Sequence, residues 1–141
     1  MKKLFAVSLI FFAFASCKKD KNETCTLSQT SLAGSYKMTA IKYKSSAASP
    51  EQDFFNDTFI EACDRDNVIT FAAAGTYTIT DAGTVCTPDS NDSGVWTLAG
   101  TTISVDGDPG TVESFTCNSF KAKTTDIFVA GDALVITYTR Q

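Results

Sequence analysis

Histidine is absent from this sequence of 141 residues. Histidine is the usual general base near neutral pH and the commonest zinc ligand, so two ordinary routes to catalysis and metal binding are missing. A Ser-His-Asp triad is excluded as well, although serine is plentiful. We therefore expect a protein that is not an enzyme and that holds no metal ion and no cofactor.

Basic residues are scarce. The sequence has 12 lysines and arginines against 16 aspartates and glutamates, a net charge of −4. Lys2 and Lys3 lie in an N-terminal segment that we expect to be removed, which leaves 10 basic against 16 acidic residues and a net charge of −6. Such a surface repels phosphate backbones, so we expect no binding to nucleic acid.

The apolar run near the N terminus is too short to span a bilayer, which takes about 20 residues. It covers the 12 residues from Leu4 to Ala15 and is apolar apart from Ser8. Lys2 and Lys3 precede it and small residues end it, which is the arrangement of an export signal. A buried N-terminal helix is the alternative.

The export signal ends in Phe14-Ala15-Ser16-Cys17, which resembles the lipobox of bacterial lipoproteins. In that pattern the last cysteine carries lipid and becomes the first residue of the mature chain. The resemblance implies a signal peptide over residues 1–16, lipid on Cys17 and a lipidated polar tether over residues 17–31. It implies an outer-membrane lipoprotein of the bacterial cell envelope, held to the membrane by that lipid and facing either the periplasm or the surface.

Three hairpins follow from the alternation of apolar and polar side chains after Leu32. In each of them one face is apolar, and a glycine lies in the loop where positive φ is needed. The expected pairs are Phe71 with Tyr77 and Ile69 with Ile79, then Trp96 with Val105 and Leu98 with Ile103, and finally Ile127 with Ile136 and Val129 with Leu134.

The remaining segments complete an all-β fold. Residues 35–43 predict a first strand with a bulge near Thr39–Ala40, and residues 111–123 predict a further strand. Ser49 and Pro50 are typical of a helix start, so we expect a short helix or ordered loop near residues 50–60. About eight antiparallel strands result, which predicts an up-and-down β-barrel, with a β-sandwich as the alternative.

The five cysteines are an odd number, and a lipid on Cys17 leaves four. Four cysteines suit two disulfides in an oxidising compartment. Cys63 and Cys86 lie one residue out of the register of the first hairpin, close enough to predict a disulfide between them. Cys25 and Cys117 then form the second disulfide by elimination.

A short motif recurs at Gly34–Met38, Gly75–Ile79 and Gly94–Leu98. A glycine is followed two residues later by an aromatic residue and, after two more, by an apolar residue on the same face of a strand. With neighbouring inward positions, the motif predicts six residues that line a ligand pocket: Tyr36, Met38, Phe71, Tyr77, Trp96 and Tyr138. A solid core built from the same residues is the alternative, because eight-stranded barrels occur in both forms.

The segments Cys-x-x-Asp from Cys63, Phe-x-x-x-Gly-x-Tyr from Phe71 and Gly-x-Trp-x-Leu from Gly94 together resemble the lipocalin-like domain of small bacterial envelope lipoproteins. The stretch "LAGSYKM" is similar to the first-strand Gly-x-Trp motif of lipocalins, with Tyr36 in place of tryptophan. The resemblance covers residues 32–141. It implies a calycin-like up-and-down β-barrel, a small hydrophobic ligand and no established reaction.

Two acidic patterns predict no further site. Asp64 with Asp66 and Asp106 with Asp108 are carboxylate pairs, but both lie beside turns, where acidic residues are ordinary. Residues 89–100 match the first half of a calcium-binding loop, yet a glycine occupies the position that requires a bidentate glutamate.

These features predict a monomeric, lipid-anchored, lipocalin-like protein that binds a small hydrophobic ligand. The alternative is a non-enzymatic surface interaction or structural lipoprotein whose barrel has a solid core. A pocket of about 300 Å³ or more with few polar groups favours the first function. An exposed apolar patch on the outside of the barrel favours the second.

Overall fold

The computed structural model describes residues 25–57 and 60–141. Within these ranges no helix is both long and apolar enough to cross a membrane. The predicted signal peptide, Cys17 and Phe59 lie outside the described residues. In chain order the elements are α1 Gln29–Leu32, β1 Gly34–Lys44, β2 Gln52–Asp53, a 3-10 helix Ala62–Asp66, β3 Val68–Phe71, β4 Thr76–Thr80, β5 Asp92–Ala99, β6 Thr102–Val105, β7 Asp108–Phe115, β8 Ser119–Thr125 and β9 Ala133–Arg140.

Eight of these strands form a closed antiparallel barrel. Each strand from β3 to β8 pairs with the next one along the chain, and β1 pairs with both β3 and β9. The two-residue strand β2 adds a short extra pairing to β1 through Lys42 and Tyr43. The predicted up-and-down barrel is confirmed, and the β-sandwich alternative is wrong because β1 joins both ends of the sheet.

The first two predicted hairpins are confirmed residue by residue. The loop glycines have the positive φ that these turns require, 92° at Gly75 and 61° at Gly100, and glycine adopts it without a steric cost. The observed pairs are Phe71 with Tyr77, Ile69 with Ile79, Trp96 with Val105 and Leu98 with Ile103.

The predicted bulge in the first strand is also confirmed. The pairing of β1 with β9 shifts register between Met38 and Ala40, and Thr39 between them is exposed. An extra residue on one strand bends it and increases its twist, as closure of a barrel requires.

The third predicted hairpin is wrong. β9 pairs with β8, and Ile136 lies opposite Ala122 rather than Ile127. Residues 126–132 form a loop, because the carboxylate of Asp132 accepts hydrogen bonds from the backbone amides of residues 127, 128 and 129 at 2.8, 2.9 and 3.1 Å. Those amides are therefore satisfied without a partner strand.

The single strand predicted over residues 111–123 is wrong as well, since this region contains β7 and β8 joined by a tight turn. The hydroxyl of Thr116 accepts hydrogen bonds from the backbone amides of Asn118 and Ser119 at 3.3 and 3.0 Å. Such side-chain turns compete with strand pairing. The predicted number of eight barrel strands is still correct, because this region contains one strand more than predicted and residues 126–130 contain one fewer.

The described part of the segment near residues 50–60 is a loop, which is one of the two structures predicted for it. Its described part contains β2 and bends, with no helix before the 3-10 helix that begins at Ala62. The backbone amide of Phe54 donates to the carbonyl of Ile41 at 3.0 Å. The ring of Phe54 stacks on Tyr43 with centroids 4.6 Å apart, so β1 holds this loop in place.

Helix α1 closes one end of the barrel. Ser28 and Ser31 form a reciprocal capping box at its start, and Leu32 at its end is fully buried. The guanidinium of Arg140 donates to the carbonyls of Ser31 and Ala33 at 2.8 and 3.1 Å. Residues 25–31, within the predicted tether, thus include the start of a helix that packs against the barrel. We refer to this end, where β1 begins, as the closed end.

The two predicted disulfides are confirmed. Cys25 bonds to Cys117 in the turn between β7 and β8, at the closed end. Cys63 of the 3-10 helix bonds to Cys86 in the long loop after β4, at the opposite end. In both pairs the Cα atoms are 5.3 Å apart.

Candidate ligand-binding site

The closed end of the barrel is filled with side chains. The ring of Tyr36 packs edge-on against Phe120 with centroids 5.0 Å apart, and Phe71 packs the same way against Trp96 at 5.0 Å. The Tyr36 hydroxyl is satisfied, since it donates to the carbonyl of Leu32 at 2.7 Å and accepts from Arg140 at 2.7 Å. The Trp96 indole donates to a backbone carbonyl at 2.9 Å. No ligand fits among side chains packed this closely.

The opposite end contains an interior cavity of about 370 Å³. Phe71 and Phe120 from the filled half form its floor, and the turn from Asp106 to Pro109 lies at its rim. Its walls are mainly aliphatic or aromatic side chains of six strands, among them Ile69, Ile79, Ile103, Val105, Ile136 and Tyr138. The barrel is therefore solid in one half and hollow in the other.

A second cavity of about 330 Å³ adjoins the first, since Ile69, Ile79 and Tyr138 line both. We call it the mouth cavity. Met38 forms part of its wall, and Asp64 of the 3-10 helix lies at its edge. The Cys63–Cys86 disulfide joins this helix to the loop after β4, so the protein covalently fixes one side of the opening.

The six predicted pocket residues fall into two groups. Phe71, Tyr77 and Tyr138 line the interior cavity, and Met38 lines the mouth cavity together with Tyr138. Tyr36 and Trp96 lie in the filled half, both about 99% buried or more, and neither lines these two cavities. The repeated Gly-x-aromatic motif therefore contributes both to the solid core and to the pocket.

Tyr138 is the polar group most directly presented to a ligand. Its ring stacks on Phe120 with centroids 4.8 Å apart, and burial raises the pKa of its hydroxyl to about 12. Among the described residues this hydroxyl has no hydrogen-bond partner, in contrast to that of Tyr36. A phenol hydroxyl that lines two cavities without a partner is free to bond to a molecule inside them.

Tyr77 presents its ring to the interior cavity but not its hydroxyl. The hydroxyl donates to the carboxylate of Asp106 at 2.5 Å, and Asp92 lies 3.4 Å away. The Asp106 carboxylate also accepts from the backbone amide of Val95 at 2.9 Å. These acidic neighbours raise the pKa of Tyr77, and its hydrogen bond lowers the pKa of Asp106.

Gly94 makes the position of Asp106 possible. A Cβ atom at residue 94 would collide with the Asp106 carboxylate. The glycine of the Gly-x-Trp motif therefore serves this contact between β5 and the turn after β6, and Asp106 itself adopts a positive φ of 51°. The two residues meet across the β5–β6 hairpin, where the backbone amide of Asp106 donates to the carbonyl of Val95 at 2.9 Å.

One group of potential metal ligands occurs among the described residues. The ligand atoms of Glu61, Cys63, Asp64 and Cys86 lie within 4.8 Å of one another. The two sulfur atoms are bonded to each other, and a disulfide lacks the thiolate that binds metals. The two remaining carboxylates are far fewer ligands than calcium requires.

A family model described as a lipocalin-like domain matches residues 32–127. The chain belongs to the lipocalin-like domain family. The match begins at the residue that ends α1 and runs through all of β1 to β8. Neither curated proteins nor solved structures gave a significant match. A lipocalin-like barrel is a fold that suggests a small-molecule binding protein.

Sequence reasoning missed the acidic rim of this lipocalin-like site. Asp64 and Asp92 line the mouth cavity, and Asp106 and Asp108 line the interior cavity. Three of these residues belonged to pairs interpreted as ordinary turn acids. Their placement beside turns was interpreted correctly. That interpretation did not show that the fold brings acids of the 3-10 helix, of β5 and of the connection from β6 to β7 to two adjoining cavities.

Proposed function

We propose that this lipocalin-like protein binds a small, largely apolar molecule in the hollow half of its barrel. The observation that carries this proposal is the interior cavity of about 370 Å³, which falls within the roughly 300–1,000 Å³ range of small-molecule sites. Its mainly apolar walls favour an apolar body, and the unpartnered Tyr138 hydroxyl offers a polar contact besides the acidic residues Asp106 and Asp108. Few, well-placed polar groups in an apolar cleft are characteristic of ligand pockets.

The solid-core alternative accounts for only half of the molecule. The aromatic cluster around Trp96 fills the closed end, whereas Ile69, Ile79 and Tyr138 are partly exposed and border open volume. A barrel needed only as a structural spacer gains stability from filling that volume, because lining atoms without neighbours lose dispersion contacts. The retained cavity therefore supports binding over a purely structural role.

We also propose that the protein is not an enzyme. The whole sequence lacks histidine, and the carboxylate of Asp106 already accepts hydrogen bonds from Tyr77 and Val95. A carboxylate whose pKa is lowered in this way is a poor general base near neutral pH, since catalytic pKa values lie near the working pH.

The proposed location is the bacterial cell envelope, with a monomeric barrel anchored through lipid on Cys17. The signal-like N terminus, its lipobox resemblance and the two disulfides support export to an oxidising compartment. Residue 25, from which the chain leads back toward Cys17, is bonded to the closed end. In this arrangement the cavity opens at the end opposite the anchor.

The binding proposal can be tested with the uncharged fluorescent probe N-phenyl-1-naphthylamine and a cavity-filling variant. Ala122 lines the interior cavity, so Ala122→Phe should occupy the space that the probe needs. Ala99 is exposed, and Ala99→Phe is the matched control. We expect saturable fluorescence with the wild type and the control, and about tenfold weaker binding or none with Ala122→Phe. Equal binding to a folded Ala122→Phe protein would contradict a site in this cavity.

A further inference from the structure

The charges around the two cavities all have one sign. Asp64 and Asp92 line the mouth cavity, and Asp106 and Asp108 line the interior cavity near its rim. No lysine or arginine is present among the described residues that line either cavity. The charged residues that a molecule in these cavities meets among the described lining residues are therefore all acidic.

These carboxylates are not neutralised by the protein. The ion pairs among the described residues join Lys42 to Asp53 and Lys123 to Glu113, and neither pair includes a residue of the rim. Asp106 accepts a hydrogen bond from Tyr77, which stabilises its negative charge rather than cancelling it. In the described part of the chain, no lysine or arginine therefore forms an ion pair with a rim carboxylate.

The interior beyond the rim favours an apolar body beside aromatic rings. The ring of Tyr138 in its wall stacks on Phe120 at its floor, and isoleucines form much of the remaining wall. Asp92, Asp106 and Asp108 are exposed, so solvent and salt screen their charges in part, and these charges act mainly on a ligand head group held close to them. An anionic head group is repelled, whereas a cationic one gains the attraction of several carboxylates.

We infer that the ligand class of this site is a small cationic amphiphile, with an apolar body inside the barrel and an ammonium-type head group at the acidic rim. This inference rests on the proposed binding function and adds the sign of the ligand's charge to it. Fatty acids, which share the apolar body but carry a carboxylate, are selected against by the same residues. The Tyr138 hydroxyl can accept or donate one hydrogen bond to the part of the ligand inside the barrel.

Three probes with the same eight-carbon chain separate charge from apolar size: octylamine, 1-octanol and octanoate, each below the concentration at which it aggregates. Isothermal titration at pH 7 gives a Kd for each. We expect octylamine to bind at least about tenfold more tightly than octanoate, with 1-octanol between them. Raising the salt concentration should weaken octylamine binding and leave 1-octanol unaffected, because salt screens only the charged contact.

Variants identify the residues responsible. The double substitution Asp92→Asn with Asp108→Asn removes two rim charges at nearly constant shape, and we expect it to weaken octylamine about tenfold while 1-octanol changes less than about twofold. Glu51→Gln with Glu113→Gln is the control, since both residues are exposed and line neither cavity. The control also removes two negative charges, so an unchanged octylamine affinity excludes an effect of net charge alone.

The outcomes distinguish this inference from the proposed function. If 1-octanol binds and octanoate binds as tightly as octylamine or more so, the charge preference is wrong and the binding function stands. Equal losses of octylamine affinity in the rim variant and in the Glu51→Gln, Glu113→Gln control would likewise overturn it. If none of the three probes binds, both the inference and the proposed function are contradicted.

Discussion

The hydroxyl of Tyr77 on β4 donates a 2.5 Å hydrogen bond to the carboxylate of Asp106, which follows β6. These strands are separated by β5 in the barrel, and the contact reaches over β5 at Gly94, which lies opposite Tyr77. Asp106 also accepts from the amide of Val95 on β5. The Asp106 carboxylate therefore links β4 and β5 to the end of β6 at the opening of the cavity.

The first prediction concerns how the stabilisation by the Tyr77–Asp106 hydrogen bond depends on pH. The pKa of Asp106 is lowered in the folded protein. The contribution of ionised Asp106 to the free energy of unfolding is therefore present in full above its unfolded pKa, about 3.9, and is lost as pH falls through the folded pKa. The raised pKa of Tyr77 gives a contribution present below about pH 10 and lost as pH rises further. The stability difference between wild type and Tyr77→Phe, measured by urea unfolding, should thus be constant from about pH 5 to 9 and shrink outside that range. A difference unaffected by pH would contradict an ionised Asp106 as the partner.

The second prediction concerns the filled half of the barrel. Trp96 is 1% exposed and packs against Phe71, so Trp96→Ala should lower the free energy of unfolding by about 3–5 kcal/mol. Val95 beside it is 60% exposed, and Val95→Ala should change stability by less than about 0.5 kcal/mol. Denaturant unfolding measures both. Comparable, small effects for the two variants would show that the closed end is not the main core.

The third prediction compares two tyrosine hydroxyls. The Tyr36 hydroxyl makes two hydrogen bonds, and Tyr36→Phe should cost about 1–3 kcal/mol because its partners lose theirs. The Tyr138 hydroxyl has no partner among the described residues, so Tyr138→Phe should leave Tm unchanged or slightly raised. Its effect should appear instead in the Kd of a bound probe. A destabilisation by Tyr138→Phe as large as that by Tyr36→Phe would contradict this assignment.

The fourth prediction concerns the loop of residues 126–132. Burial acts to raise the pKa of Asp132, but three backbone amides and Tyr43 outweigh it and hold that pKa below its usual value. Asp132→Ala removes the acceptor of all three amides, so hydrogen exchange at residues 127–129 should become much faster. Exchange in β3 and β4 should not change. Retained protection at residues 127–129 would mean that other contacts hold the loop.

How far the sequence predicted this fold depends on whether the deciding contacts were local. The hairpin of Phe71 and Tyr77 followed from alternation and one loop glycine, both within a dozen residues. The alternation from Ile127 to Ile136 looked equally regular, but the buried carboxylate of Asp132 satisfies the amides that a strand would have paired. That competition depends on burial, which a linear pattern does not contain.

The candidate site likewise combines features that local sequence predicts with features that depend on the whole fold. The inward orientation of the six candidate side chains was predictable from the alternation of inward and outward residues along each strand. All six residues are partly or fully buried. Which of them border a cavity was not predictable, because that depends on α1 and Leu32 filling one end only. The acidic rim likewise comes from turns that are distant in sequence.

The fifth prediction concerns the anchor. Cys17→Ser should release the protein from membranes into the soluble fraction, because the lipid would have no attachment site. Cys25→Ser is the matched control: it breaks the disulfide to Cys117 and should leave the protein with the membranes after a carbonate wash. Membrane retention of Cys17→Ser under the same wash would contradict the lipoprotein assignment.

The most direct test of binding inside the hollow half is methyl NMR of the isoleucines during a titration with 1-octanol. Ile69, Ile79 and Ile136 line the interior cavity, whereas Ile127 is 38% exposed on the outer loop. Binding in the cavity predicts saturable shifts of the first three methyl signals with one common Kd, and an unmoved Ile127. Shifts confined to Ile127, or no shift at all, would contradict it.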